Sequence, residues 1–439
     1  MRDYMNILKA VEDSGVRAWL VGDTVRMIEM GIQPHIITMA LDTDDLFKAA
    51  HAIGTGTVDA RGPFPALRGE MNGMPFRGFS LQGGSIESDL ARRDFSIEAI
   101  AMRSDGGIVD PFGGIFDIRN KVLRLTGDDI ELIHKDPLRI IRMLRLAAEL
   151  EMDIFWKTDT DIRKFLETNA NEMKDMPLER WGREIINGMK RRPWRFIRFC
   201  DSYNLLPLFL KDLDDLKKVP DGSNKVNEYG RPYTLFDHVL DTLHVIESRL
   251  DTHKIMQRDA FILAGLFSRI NTKTLEEIHD PDVRKVTDRL IIDYLTKWNI
   301  PSETINEVIS IIGSYGEFYK PISEEQFCKY IIEYDAIAVE VAREFAACIA
   351  IAENRPEETL EILRDNRWNL AQVLRRFDNV EKQMEGAERY LTGREIMNLL
   401  NIGPSKRVGE LLEALDFAVG TGKVGSRAAA EKWLLSNAK

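Results

Sequence analysis

The chain has 439 residues, 44% hydrophobic and 30% charged, with a formal net charge of −11. That balance fits a folded protein of two to four domains and excludes low-complexity and fibrous classes. No uncharged run approaches the roughly 20 residues that span a bilayer, so no membrane partner is expected.

The acidic total argues mildly against nucleic acid, but Lys135 to Arg198 holds more basic than acidic side chains. The three cysteines, Cys200, Cys328 and Cys348, are scattered and lack metal spacing. They read as buried free thiols in a reducing cytoplasm.

In chain order, the opening stretch places Asp3, Glu12 and Asp13 within an apolar pattern. It reads as an amphipathic helix and not a signal peptide. VRAWLVG predicts a short strand ending at Gly22, and DTVRMIEMG a helix stopped by Gly31. HIITMAL is a β-branched, apolar strand. DTDDLFKAAHAIG is a helix with Asp42 as its N-cap and acidic residues in its first turn. GTGTVDARG (Gly54 to Gly62), ALRGEMNGMPFRGFSL and GGIVDPFGGIFDIRNKVLRL predict further strands and turns.

From Asp128 onward the pattern is helical. Arg139, Arg142 and Arg145 are spaced by three, along one side of a helix. KRRPWRFIRF (Lys190 to Phe199) interleaves cations with aromatic rings. Such a segment can meet phosphates and stack on bases, or it is a helix with aromatics in the core and arginines in water. Asp215 to Thr234 is rich in turn residues and reads as a linking loop. Helices resume from Leu235, and a last segment from Leu391 makes short helices separated by Gly and Pro.

Three motifs carry a resemblance: DLARRDFSIEAIAM (Asp89 to Met102), GGIVDPFGGIFDIRNKVLR (Gly106 to Arg124) and KDPLRIIRMLRLAAEL (Lys135 to Leu150). In this order and spacing they resemble the bacterial class II tRNA nucleotidyltransferases and poly(A) polymerases. LVGDTVRM resembles that family's glycine turn, and LTGREIMNLLNIGPSKRVGELL its C-terminal segment. The resemblance implies an α+β fold: a polymerase-β-like head with a mixed sheet, then a mostly helical neck, body and tail. The corresponding segments are 1–127, 128–214, 215–386 and 387–439. It also implies a cytoplasmic protein whose partners are a nucleoside triphosphate, ATP or CTP, and an RNA, the tRNA 3′ end.

By the same resemblance, the nucleotide site would comprise Gly22, Arg26, Arg92, Arg93, Asp94, Asp136, Arg139 and Arg142. Adjacent cations at Arg92 and Arg93 suit triphosphate oxygens, although a surface salt-bridge cluster uses the same residues. Asp94 would accept from a ribose hydroxyl, and Asp136 with Arg139 would read the base edge. Lys190, Arg191, Arg192, Lys406 and Arg407 would meet RNA phosphates. Lys406 and Arg407 equally suit a plain helix-capping turn. DPFGG (Asp110 to Gly114) needs its glycines for a turn and suits a hinge.

The departures fall on metal and triphosphate handling. Nucleotidyl transfer in this family uses Mg²⁺ held by an Asp-x-Asp pair on a strand, where side chains two apart point the same way. Aligning Gly31 and Pro34 with the family pattern places that pair at Ile36 and Thr38. Ile cannot bind Mg²⁺, and Thr offers one neutral hydroxyl. The second glycine of the phosphate turn is Asp23, and the closing Asp of that motif is Met27. If the chain is active, an unusual carboxylate source would have to substitute: Asp42 and Asp44, an Asp-x-Asp displaced by six residues, or Asp23.

In the body, LFDHVLDTLHVI and DAFILAGLFSRINTK resemble a His-Asp phosphohydrolase domain. His238 stands at its first His, and Ser268-Arg269 replace its His-Asp pair. Two functions follow. One is an RNA- and nucleotide-binding protein without the chemistry, as a homodimer or the partner of an active paralogue. The other is a working Mg²⁺-dependent enzyme adding CCA, CC, A or poly(A) with displaced carboxylates.

Overall fold

The structure is a computed structural model describing residues 2–53, 56–60, 65–250, 252, 255–275, 277–383 and 389–438. It divides into two compact units, Met1–Gly188 and Met189–Lys439. The division falls inside the stretch expected as the neck. The expected boundary at 386/387 lies outside the described residues.

The first unit begins with α1 (Arg2–Glu12), β1 (Ala18–Val21), α2 (Asp23–Glu29), β2 (Ile37–Leu41) and α3 (Leu46–Ile53). It continues through β3 (Thr57–Asp59), β4 (Ala66–Met71), β5 (Met74–Ser80), α4 (Ile86–Leu90), β6 (Ala101–Met102) and β7 (Ile108–Val109). These strands form one seven-stranded sheet in the order β3-β4-β5-β2-β1-β6-β7. β2 and β5 are parallel, and the other neighbours are antiparallel. The expected strand Gly54 to Gly62 is seen as Thr57–Asp59, its ends lying outside the described residues.

β1 and β2 are buried along their whole length, which explains their unbroken apolar runs. Trp19, Val21 and Ala40 pack there against Ile86, Leu90, Ala99 and Ala101. Gly31, at φ +73°, ends the turn after α2 as its sequence predicts. One expectation is corrected. The residue that caps α3 is Asp45, whose Oδ1 accepts from the amides of Phe47 and Lys48 at 3.0 and 3.2 Å. Asp42 instead follows the end of β2, and its carboxylate pairs with Arg17. Residues 42–45 form a turn in which the Thr43 hydroxyl accepts from the Asp45 amide at 3.0 Å, so α3 starts only at Leu46.

The unit closes with α5 (Gly114–Asn120), β8 (Val122–Leu123), α6 (Asp129–Lys135), α7 (Leu138–Leu150), β9 (Asp153–Ile154), α8 (Trp156–Lys174) and α9 (Leu178–Met189). The DPFGG turn is fixed by Asp110, which accepts from the amides of Gly114 and Ile115 at 2.7 and 3.0 Å. A Cβ on Gly114 would stand 2.1 Å from the Ser96 carbonyl oxygen, so only glycine fits there.

The second unit is helical. It runs through α10 (Pro193–Ser202), α11 (Leu206–Phe209), α12 (Lys211–Asp215), α13 (Leu235–Leu250), α14 (Arg258–Phe267), α15 (Pro281–Lys297) and α16 (Ser302–Ser314). It ends with α17 (Glu324–Tyr334), α18 (Ala336–Ala352), α19 (Glu357–Gln383), α20 (Gly393–Leu400), α21 (Lys406–Gly420) and α22 (Arg427–Asn437). Its core draws on α14 and α18, buried nearly all round, as their apolar sequences require. The loop between α12 and α13 is irregular, held by isolated bridges Pro220–Thr234 and Val226–Pro232. Cys200, Cys328 and Cys348 are free and buried. Among the described residues no helix is long and apolar enough to cross a membrane.

Candidate nucleotide and metal sites

The head site is built where α2 begins, between β1 and β2. Gly22 has φ +65°, and a Cβ there would lie 2.8 Å from Nη1 of Arg93. The bare backbone therefore lets the Arg93 guanidinium lie against the turn. Arg93 is held by Asp89 at 3.0 Å, while Arg92 is exposed. Arg26 is buried in α2, 3.8 Å from Glu98.

Thr24 staples the start of β2 to this turn. Its hydroxyl donates to the Ile36 carbonyl at 3.2 Å and accepts from the Thr38 amide at 2.8 Å. Thr38 is therefore fixed beside Asp23. The Thr38 hydroxyl donates to Oδ1 of Asp23 at 2.9 Å. Arg77, directly opposite Thr38 on the parallel strand β5, completes the set. Its Nε donates to the Thr38 hydroxyl at 2.9 Å, and its Nη2 to Oδ2 of Asp23 at 3.1 Å.

This arrangement does not fit a divalent ion. The donors are one carboxylate, already shared, and one neutral hydroxyl, whereas Mg²⁺ takes hard anionic oxygens. Arg77 supplies a positive charge at the same place. At an effective dielectric of 20, unit charges about 4 Å apart interact by about 4 kcal/mol, and a divalent ion doubles the repulsion. Asp42 is four residues from Thr38, roughly 13 Å along an extended strand, and is paired with Arg17. Asp44 is exposed in the turn beyond β2. Among the described residues, no three His, Cys, Asp or Glu side chains group to hold a metal.

The base-reading candidates do come together. Asp94 accepts from Arg139 Nε at 2.7 Å and Arg142 Nη1 at 2.5 Å. Asp136 accepts from Arg142 at 2.7 Å and Arg180 at 3.0 Å. Glu184 lies 3.3 Å from Arg142 and 3.4 Å from Arg145. The arginine row of α7 thus faces three carboxylates. Burial lowers the Arg142 pKa, but Asp94, Asp136 and Glu184 outweigh it and raise the value. Both oxygens of Asp94 are thus engaged by guanidinium groups.

In the second unit, His238 is buried on α13, with Nε2 3.2 Å from Asp221 and Nδ1 unpartnered. Arg269 is also buried; it donates to the Tyr315 hydroxyl at 3.0 Å and pairs with Glu353. Glu353, at the end of α18, was not singled out in the sequence, where AIAENRP carries no recognisable motif. Arg77 was missed likewise, since its role depends on strand register.

Of the basic segment, Phe196 is core, while Arg198 stacks on Trp194 at 4.9 Å. Both line a cavity of about 1150 Å³ with Phe199, Arg195, Lys217 and Lys218. Lys190 lies 3.7 Å from Asp259, and Arg192 4.0 Å from Glu247. Arg191 is exposed. Lys406 and Arg407 open α21, 94% and 50% exposed.

Residues 24–124 match the Poly A polymerase head domain family. An A-adding tRNA nucleotidyltransferase of Deinococcus radiodurans is 26% identical over 369 residues, 80% of each chain. The chain belongs to the bacterial class II tRNA nucleotidyltransferase family. A CCA-adding enzyme of Streptococcus mutans is 30% identical over 236 residues, 50% of this chain and 58% of its own length. The match thus spans little more than half of that relative's length.

The crystal structure of the Bacillus stearothermophilus CCA-adding enzyme in complex with CTP has a TM-score of 0.61 at 19% identity. It covers 99% of this chain and 96% of its own, and so establishes the tRNA nucleotidyltransferase fold.

Proposed function

We propose that this chain binds an RNA 3′ end, that of tRNA, together with ATP or CTP, and does not carry out Mg²⁺-dependent nucleotidyl transfer. The observation that carries this reading is the Arg77 guanidinium bonded to Thr38 and Asp23 where the metal clamp of the family would stand. Charge neutralisation supplies most of phosphoryl-transfer catalysis, so base reading cannot compensate for a lost clamp.

The nucleotide-facing group is Gly22, Arg26, Arg92, Arg93, Asp94, Asp136, Arg139 and Arg142. The RNA-facing group is Lys190, Arg191, Arg192, Lys406 and Arg407, joined by Trp194 and Arg198 in the cationic, aromatic cavity. The CTP complex of the Bacillus relative and the tRNA named for the Deinococcus relative support these ligand classes. Head, neck, body and tail keep the boundaries 127/128, 214/215 and 386/387. The His-Asp-like body serves as scaffold. In the cell the protein accompanies or regulates an active enzyme, or acts as a homodimer.

The test is incorporation of labelled ATP and CTP into tRNA transcripts ending before, within and after CCA, with Mg²⁺ or Mn²⁺. Binding of the same transcripts is measured in parallel. Retained binding without extension is expected. Robust extension by the natural protein would overturn the reading and direct the search to other carboxylates.

A further inference from the structure

Arg77 has a nitrogen to spare. Its Nε and Nη2 are committed to Thr38 and Asp23, Nη1 has no partner among the described residues, and the side chain is 35% exposed. The guanidinium is held in place. β2 and β5 are central, parallel neighbours, and the register sets Arg77 opposite Thr38. Arg93 lies against Gly22, the residue beside Asp23. Two guanidinium groups therefore flank the Gly22–Asp23 turn.

A metal ion in a triphosphate site neutralises the phosphates, and it also activates the attacking hydroxyl. A guanidinium can do the first through paired N–H···O bonds to phosphate. It cannot do the second, because it is not a Lewis acid that could bind the hydroxyl oxygen, and it has no acceptor to take the proton. Asp23 and Arg77 also balance each other's charge, so no ion is needed to stabilise the empty turn.

We propose that Arg77 is a protein-borne substitute for the metal ion, and that this head takes a nucleoside triphosphate in its metal-free form with Arg77 and Arg93 on the polyphosphate. This rests on the nucleotide-binding part of the proposed function and adds the ionic form of the ligand. Mg²⁺ is then a competitor, because it withdraws free nucleotide and brings a hydrated cation towards a guanidinium.

The experiment is equilibrium binding of labelled CTP and ATP to the full chain, in EDTA and in excess Mg²⁺. RNA binding serves as the check on folding. The expected result is an affinity in EDTA equal to or higher than that in Mg²⁺, and a loss of tenfold or more in EDTA for Arg77→Met. The double variant Arg77→Met, Asp23→Asn, which leaves no orphaned carboxylate, loses binding as well. Tight binding only with Mg²⁺, or full affinity in both variants, overturns the proposal. If that binding comes without RNA extension, the proposed function still stands. No binding of either nucleotide in either condition, with RNA still bound, overturns the proposal together with the nucleotide half of that function.

Discussion

Arg77 in the first unit and Arg269 in the second each stand where the family resemblance leads one to expect metal chemistry, yet their surroundings are opposite. Arg269 is 1% exposed and its partner Glu353 5%. It also donates to Tyr315 and to the Leu275 carbonyl, and Glu353 is shared with Arg355, which lies over the Tyr319 ring. Every direction around that guanidinium is protein. Arg77 is one-third exposed and has a nitrogen left over. A carboxylate-paired guanidinium is therefore a buried strut in one place and a group able to meet a ligand in the other. Solvent access, more than residue type, separates the two.

The sharpest way to break this comparison is stability. Removing one partner of a buried, hydrogen-bonded ion pair leaves the other charge uncompensated, at a cost of about 3–5 kcal/mol. Arg269→Ala should lose about that much in denaturant titration, whereas Arg77→Met should lose less than about 1 kcal/mol, because its ion pair is solvent-screened. Equal losses would show that the two arginines have one role.

Next in size is pH. Burial, opposed by the Asp221 hydrogen bond and deepened by nearby Arg269, lowers the His238 pKa, and burial with Arg269 lowers that of His279. A lowered histidine pKa means that the unfolded chain takes up the proton first. Stability is then full above the ordinary histidine value and declines as pH falls through it towards the folded value. Asp221 acts in a separate window. Although burial raises its pKa, hydrogen bonds from Ser223 and His238 bring it below the ordinary carboxylate value. Its contribution is present above that value and is lost only in stronger acid. Denaturation midpoints should therefore fall between pH 7 and pH 5, and fall less in His238→Gln. An unchanged midpoint would show that these histidines titrate alike in the folded and unfolded chains.

The smallest expected effect belongs to the displaced carboxylates. Asp42→Asn and Asp44→Asn should each change stability by no more than about 0.5 kcal/mol and leave nucleotide binding unaltered. A large loss of binding would revive them as functional groups.

Much of this was legible in the sequence, and for identifiable reasons. β2 was readable because a strand buried on both faces needs an unbroken apolar run. The row Arg139, Arg142 and Arg145 was readable because helical period puts such residues on one side. Reading Asp23, Ile36, Thr38 and Arg269 as departures required a family pattern to set them against. Arg77 and Glu353 were not legible at all. One depends on which residue β5 sets beside Thr38, the other on where α18 ends relative to α14, and local pattern encodes neither pairing. The choice of Asp42 over Asp45 as helix cap failed because both are acidic and a turn held by Thr43 separates the end of β2 from the helix. The pairing of Asp94 with Arg139 and Arg142 joins residues 45 and 48 positions apart, beyond any local signal.

The most direct measurement is Mn²⁺ uptake followed by electron paramagnetic resonance, in which free Mn²⁺ gives a signal that bound ion loses. Protein with CTP should leave at least as much free signal as CTP alone, because CTP held metal-free by Arg77 and Arg93 no longer binds Mn²⁺. A variant carrying Ile36→Asp, Thr38→Asp, Asp23→Gly and Arg77→Ala should take Mn²⁺ up. Stoichiometric loss of signal with the natural chain would contradict the account.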